Sequence, residues 1–377
     1  VVEDNYQPAQ PEDAEKPEGA DQPESAEEPK SADQHESAEQ AQPQQAAPAA
    51  APAGSTPVKP KDDGFWGNTI TVINNFADKV LNLTLKDVKI DVSDTGGDNF
   101  EFEDDQRGKA ALSVQGKGNV EIELDGNNEL KSGASRAGLE KTSTGKLTLK
   151  DDNKEAGSLT ATGGASAAGI GGDWKGSGEN ITITGGTVDA TGGYGSAGIG
   201  GGKEGSGENI TITGGTVNAT SGESGAGIGG GNDGVGKNIT ITGGTVEATG
   251  YFGGAGIGGG NSDSDGENIT ITGGSVTASG GEWAAGIGGG NGGSGNNITI
   301  KGGTVNATGG DGGSGIGGGA EGGGGNNITI KGGTVTATGG GNRGTGGAGI
   351  GGGSSGSVEN ITINGGKVTA TGGDYAA

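Results

Sequence analysis

The stretch NITITGGTVDATGGYGSAGIGGG, Asn180 to Gly202, is followed by near copies that begin at Asn209, Asn238, Asn268, Asn297 and Asn327. A fixed period of 29 or 30 residues constrains the fold more than any other feature, because each copy must be one structural unit that leans on its neighbours. The chain has 377 residues, 94 of them Gly, and composition matters here only for what it excludes. A collagen helix needs Gly at every third position, which this repeat lacks. A disordered chain has no reason to keep short β-branched runs such as Ile181–Thr184 in step. A repeat array is what is left.

Each unit reads as two or three short strands. Ile181 and Ile183 fall on one face of the first, with Thr182 and Thr184 on the other, since strand side chains alternate. Gly185 and Gly186 turn the chain, and the second strand puts Val188 and Ala190 inward. A third piece carries Ala197 and Ile199 inward. No stretch has helical periodicity, and glycine at this density opposes helix. A single unit buries too few side chains, at about 1.5–3 kcal/mol each, to offset backbone ordering at about 1–2 kcal/mol per residue. Stacked units share ladders and one continuous core. The fold expected is therefore all-β: a right-handed single-stranded parallel β-helix of about ten coils, a rod on the order of 45–50 Å long. Earlier, less regular units are read at Asn82, Asn119 and Lys146, spaced 37, 27 and 34 residues from one start to the next. The recurring Asn180, Asn209, Asn238, Asn268, Asn297, Asn327 and Asn360 are expected to stack at a corner as an internal amide ladder. The Asn-Ile-Thr sequon they form is then a by-product.

Residues 1–63 differ sharply: Pro, Glu, Ala, Gln and Ser dominate and little there can enter a core. They are expected to be a disordered acidic linker, with the β-helix domain at 64–377. Net charge is −25, which opposes binding to nucleic acid or anionic membranes. No apolar run is long enough for a membrane span. Without Cys the chain has neither disulfides nor thiolate chemistry. The Val-Val-Glu opening suggests a removed signal peptide, hence an extracellular or cell-surface location. The TGGDYAA end falls partway through a coil, as in a monomer or a part of a larger surface protein.

The runs NLTLKDVKIDV and GKAALSVQGKGNVEIELDGNNELKSGASRAGLEKTSTGKLTLK resemble the carbohydrate-binding parallel β-helix proteins of cellulolytic clostridia. The motifs are a strand, the turn at Asn127–Leu130, the short strand at Ala137–Leu139 and the strand Lys146–Leu149. The GGTVTATGG and GAGIGGG coils resemble repeats on surface proteins of Firmicutes. The resemblance covers roughly 80–377. It implies an architecture similar to pectate lyases, binding of plant polysaccharides and bound calcium; none of that family's calcium ligands maps onto a named position.

The residues themselves offer little for catalysis. The one His, His35, lies in the linker, so no Ser/His or Cys/His constellation fits the body. Arg343 is the weak basic candidate for a lyase. Gly193–Gly198 matches G-x-G-x-x-G, but a nucleotide site needs a following helix. Scarce aromatics are more telling. Tyr194, Tyr251, Phe252 and Trp283 sit in the loop after the second strand, with Tyr375 near the end, and Glu223, Glu282 and Asp311 share that loop. Stacked coils would align these as a strip of rings and acids suited to sugars. Trp174, in the other loop, reads as packing. Asn261, Asp263, Asp265 and Glu267 begin like an EF-hand, but Thr272 stands at the twelfth position; they are candidate calcium ligands. Asp98, Glu101, Glu103, Asp104 and Asp105 form a second acidic cluster. Paired Thr columns such as Thr240/Thr242 and Thr270/Thr272 suit an ice-binding face, but Lys301, Lys331 and Asn364 interrupt them. The reading favoured is a non-catalytic module for polysaccharide or host or plant glycan, or an adhesin. A ligand-free stalk is the alternative, with ice binding or lyase activity behind it.

Overall fold

The computed structural model describes residue 61 and residues 63–97, 106–153, 155–342, 345–374 and 376. These form a parallel β-solenoid of about nine turns with no α-helix among them. In a regular coil the chain passes through four sheets. Sheet I takes a two-residue Ile-Gly strand such as Ile199–Gly200, and sheet II takes Gly207–Glu208. Sheet III takes Thr211–Ile212 and sheet IV takes Thr216–Thr220. Each of these strands pairs in parallel with its copy in the next coil, as Ile199 with Ile228 and Val188 with Val217. Sheet I has ten strands and sheet II seven; sheets III and IV together hold nineteen, joined by the long strand Asn119–Lys131 that runs through both.

The alternating residues build the core. Ile210, Ile212, Val217, Ala219 and Ile228 are each at most 1% exposed, and the copies above and below continue the column. Because side-chain period matches coil period, each Ile stacks on an Ile, and the apolar layer is unbroken from coil to coil. Asn128 enters the same column, in register with Leu159. Its amide is satisfied there: Oδ1 accepts from the Val88 N–H at 2.9 Å, and Nδ2 donates to the Ser158 and Asp125 carbonyls at 3.0 and 3.1 Å.

Three expectations change. The first unit does not begin at Asn82: Val80 pairs with Asn119 and Leu83 with Ile122, so the start lies two residues earlier. A slip of two keeps every side chain on its face, which is why the alternation alone concealed it. Regular coils also have a fourth strand. Sheet II strands such as Gly178–Glu179 have two residues, too few to show a period. Finally, the asparagine ladder lies on the surface instead of inside. Asn209 Nδ2 donates to Asn180 Oδ1 at 3.2 Å, Asn238 to Asn209 at 3.0 Å, and Asn360 to Asn327 at 3.1 Å, all exposed contacts.

Candidate functional site

Two turns flank each sheet I strand. The turn that leads into sheet I places Tyr194, Glu223, Phe252, Glu282 and Asp311 at equivalent positions of successive coils. Backbone bonds hold the stack, with Gly195 N–H donating to the Glu223 carbonyl at 2.6 Å and Gly253 N–H to Glu282 at 2.8 Å. Tyr194 is 40% exposed, Phe252 38% and Tyr251 61%, so the rings face solvent. Phe252 and Trp283 meet edge to face, centroids 4.9 Å apart. A cleft of about 340 Å³ opens between Tyr251, Phe252 and Glu282.

The next position of this turn has a left-handed backbone in each of these five coils. Gly195, Ser224, Gly253, Trp283 and Gly312 have φ of 73, 73, 78, 69 and 75°. Gly adopts that conformation freely; a bulky aromatic does so at a cost of roughly 1–2 kcal/mol. Trp283 therefore holds its ring beside Phe252 against a local backbone preference.

The turn that leaves sheet I carries Trp174, Lys203, Asn232, Asn261, Asn291 and Ala320 in its stack. It is tied across the edge to the first turn. Asn232 N–H donates to the Gly195 carbonyl at 2.7 Å, Asn261 to Ser224 at 3.0 Å and Ala320 to Trp283 at 2.7 Å. Lys203 Nζ lies 5.7 Å from the Tyr194 ring centre. The edge is thus a narrow, backbone-braced face that presents rings, carboxylates and amides together.

The four proposed calcium ligands do not converge. Asp265 accepts from the Ser294 N–H at 2.7 Å and from Asn296 Nδ2 at 3.1 Å, in the coil above. Glu267 pairs with Lys237 at 3.3 Å, in the coil below. Asp263 is an exposed turn residue with φ 54°, and Asn261 belongs to the edge. Among the described residues no three His, Cys, Asp or Glu side chains gather to hold a metal. His35, Arg343, Tyr375 and the run Asp98–Asp105 lie outside the described residues.

A further charged cluster escaped sequence reading. Asp173 pairs with Arg107 at 2.9 Å and Arg136 at 3.8 Å, and Arg136 also reaches Glu140 at 3.3 Å. Trp174 is half-buried between Arg107, 5.6 Å from its ring centre, and Lys175, 4.7 Å away. Glu140 is 1% exposed; burial raises its pKa above the ordinary carboxylate value, against the pull of Arg136. Lys141 is 3% exposed, and burial lowers its amine to about 8. These residues come from irregular early coils, where no repeat aligns them; the short spacing from Asn119 to Lys146 was the one sign of an altered coil.

A family model described as a beta helix repeat matches residues 181–203, 210–232, 239–261, 269–291, 298–320, 328–354 and 361–377. No curated protein and no solved structure matches the chain. The matches fall on the coils whose strands stack in register, and with that register the repeat and the architecture agree: the chain is a parallel β-helix protein.

Proposed function

We propose that the solenoid is a non-catalytic carbohydrate-binding or adhesion module working outside the cell, and that it takes a polysaccharide along the sheet I edge. The observation that carries this reading is Trp283, an aromatic in a left-handed position that Gly or Ser fills in the neighbouring coils. Backbone strain of this kind persists where a site uses it. Sugar rings stack their C–H faces on exposed aromatics, while Glu223, Glu282 and Asn232 are placed to take hydroxyls. Tyr194 and Phe252 stand two coils apart, so ring spacing is a multiple of about 4.8 Å, a periodic array suited to a periodic chain.

The test is affinity electrophoresis of the full chain on a panel of soluble polysaccharides, with calcium and with chelator. One glycan class is expected to retard it. Trp283→Gly and Tyr251→Ala should each weaken that retardation roughly tenfold or more, and Trp283→Gly should not lower the melting temperature, since Gly suits that backbone. Equal retardation of Trp283→Gly and the parent overturns the site. No retardation on any glycan leaves a structural stalk as the reading.

A further inference from the structure

The two coils below the regular array take a shorter path. Eight residues lead from Leu139 in sheet I to Leu147 in sheet III, where eleven lead from Ile170 to Ile181. Sheet II is what the short path omits, so Gly178–Glu179 is its edge strand, with no strand beneath it. The step leaves a cleft of about 370 Å³ lined by Lys141, Thr142, Ser143, Ser177 and Glu179, with Asp173 at one side. That volume is within the usual range for small-ligand sites.

Lys141 is the unusual wall of this cleft. It stands one residue beyond the Glu140–Gly171 pair, beside Gly172, where the regular coils carry glycine. The residue is 3% exposed, and Nζ donates to the Ser143 carbonyl at 2.7 Å. An ammonium has three donors. A buried one is costly unless paired, and among the described residues no carboxylate lies within ion-pair distance of it. The acids nearby are otherwise engaged or wet: Asp173 and Glu140 are held by Arg107 and Arg136, and Glu179 is exposed at the rim. Arg107, Arg136 and Lys141 thus balance Glu140, Asp173 and Glu179, in a chain of net charge −25.

We propose that this cleft binds a carboxylate group of a ligand, with the Lys141 ammonium as its counter-ion and the Thr142, Ser143 and Ser177 hydroxyls taking neighbouring hydroxyls, as in an acidic sugar. The sugar part rests on the glycan reading above; the carboxylate does not. A bound carboxylate would supply the partner the buried amine lacks. The amine loses its proton near pH 8, so affinity for an anion should be full below that pH and fall above it. Binding in turn should raise the amine's pKa. Of the groups facing Lys141, Glu179 acts on it directly; the Asp173 and Glu140 carboxylates are offset by arginine.

The experiment is calorimetric titration of the full chain with trigalacturonate and with its neutral methyl ester, from about pH 6.5 to about pH 9.5, a window centred on the amine's titration. The acid is expected to bind at least roughly tenfold more tightly than the ester, to weaken as pH rises through 8, and to lose roughly tenfold in Lys141→Met. Equal binding of acid and ester, a flat pH profile, or unaltered affinity in Lys141→Met overturns the proposal. Should that variant not fold, the acid-to-ester ratio and the pH profile of the parent chain still decide. If Trp283→Gly abolishes trigalacturonate binding while Lys141→Met leaves it intact, the edge site stands and this one fails.

Discussion

At the scale of single residues, the surface ladder poses the question of why Asn recurs. Asn180, Asn209, Asn238, Asn268, Asn297, Asn327 and Asn360 all have φ between 53 and 58°. Asn tolerates the left-handed region better than other residues with a side chain, and its amide both donates and accepts, so a column of it can run on. Water competes for exposed amide bonds, and each is worth only about 0.5–1.5 kcal/mol. The backbone preference should therefore dominate. Asn268→Ala is expected to cost about 1–2 kcal/mol and Asn268→Gly distinctly less, read from denaturant midpoints. If Gly costs as much as Ala, the ladder bonds and not the backbone carry the position. The sequence made the recurrence plain, but not its placement: an amide in a repeat looks the same whether its ladder faces core or water.

Among the elements, the sheet I strand depends most on having no side chain. Gly258 has φ 138°, a region open to Gly alone, and a Cβ there would stand 1.9 Å from the Gly288 carbonyl oxygen of the next coil. The close approach is what lets a two-residue strand form its ladder. Gly258→Ala should lower stability by at least about 2 kcal/mol, measured by thermal and denaturant unfolding; a change within about 0.5 kcal/mol, the usual range for a surface substitution, would mean that the coils can slide to admit it. The sequence shows Ala197 and Ile199 of this third piece as inward residues, but the demand for glycine comes from the next coil's carbonyl and is visible only in the stack. The period-two signal located Ile181, Ile183, Val188 and Ala190 because those strands are long enough to alternate and are buried on one face. It missed sheet II and the Lys141 cleft for opposite reasons. The sheet II strands are too short to carry a pattern, and the cleft is made by residues that are missing from a coil: the short spacing from Asn119 to Lys146 marks the loss, and the pairing of Leu139 with Ile170 locates it. The edge rings were legible as scarce aromatics at one loop position; the strain at Trp283 needed the backbone.

For the molecule as a whole, each coil pairs only with the coils before and after it, so stability should approximate a sum of coil terms and nearest-neighbour interfaces. Such a rod tolerates loss of a complete unit and not of a fraction. Removing Asn297–Asn326 takes out thirty residues and joins Asn296 to Asn327, which restores the Asn-Asn junction of the parent. Ile330 then falls in register with Ile271 and Val335 with Val276, because in the parent both members of each pair match the same deleted residue, Ile300 or Val305. This variant is expected to keep its β-type circular dichroism and a cooperative melt, with stability reduced by about one interface. Removing Asn297–Asp311, half as many residues, leaves sheet I strands facing sheet III positions, and the coils beyond the junction should lose protection from proteolysis. The edge reading makes a further demand on the same pair. The whole-coil deletion spares Tyr251, Phe252 and Trp283, so it should hold a glycan as the parent does, whereas a stalk whose only property is length would register the deletion solely as a rod shorter by about 4.8 Å.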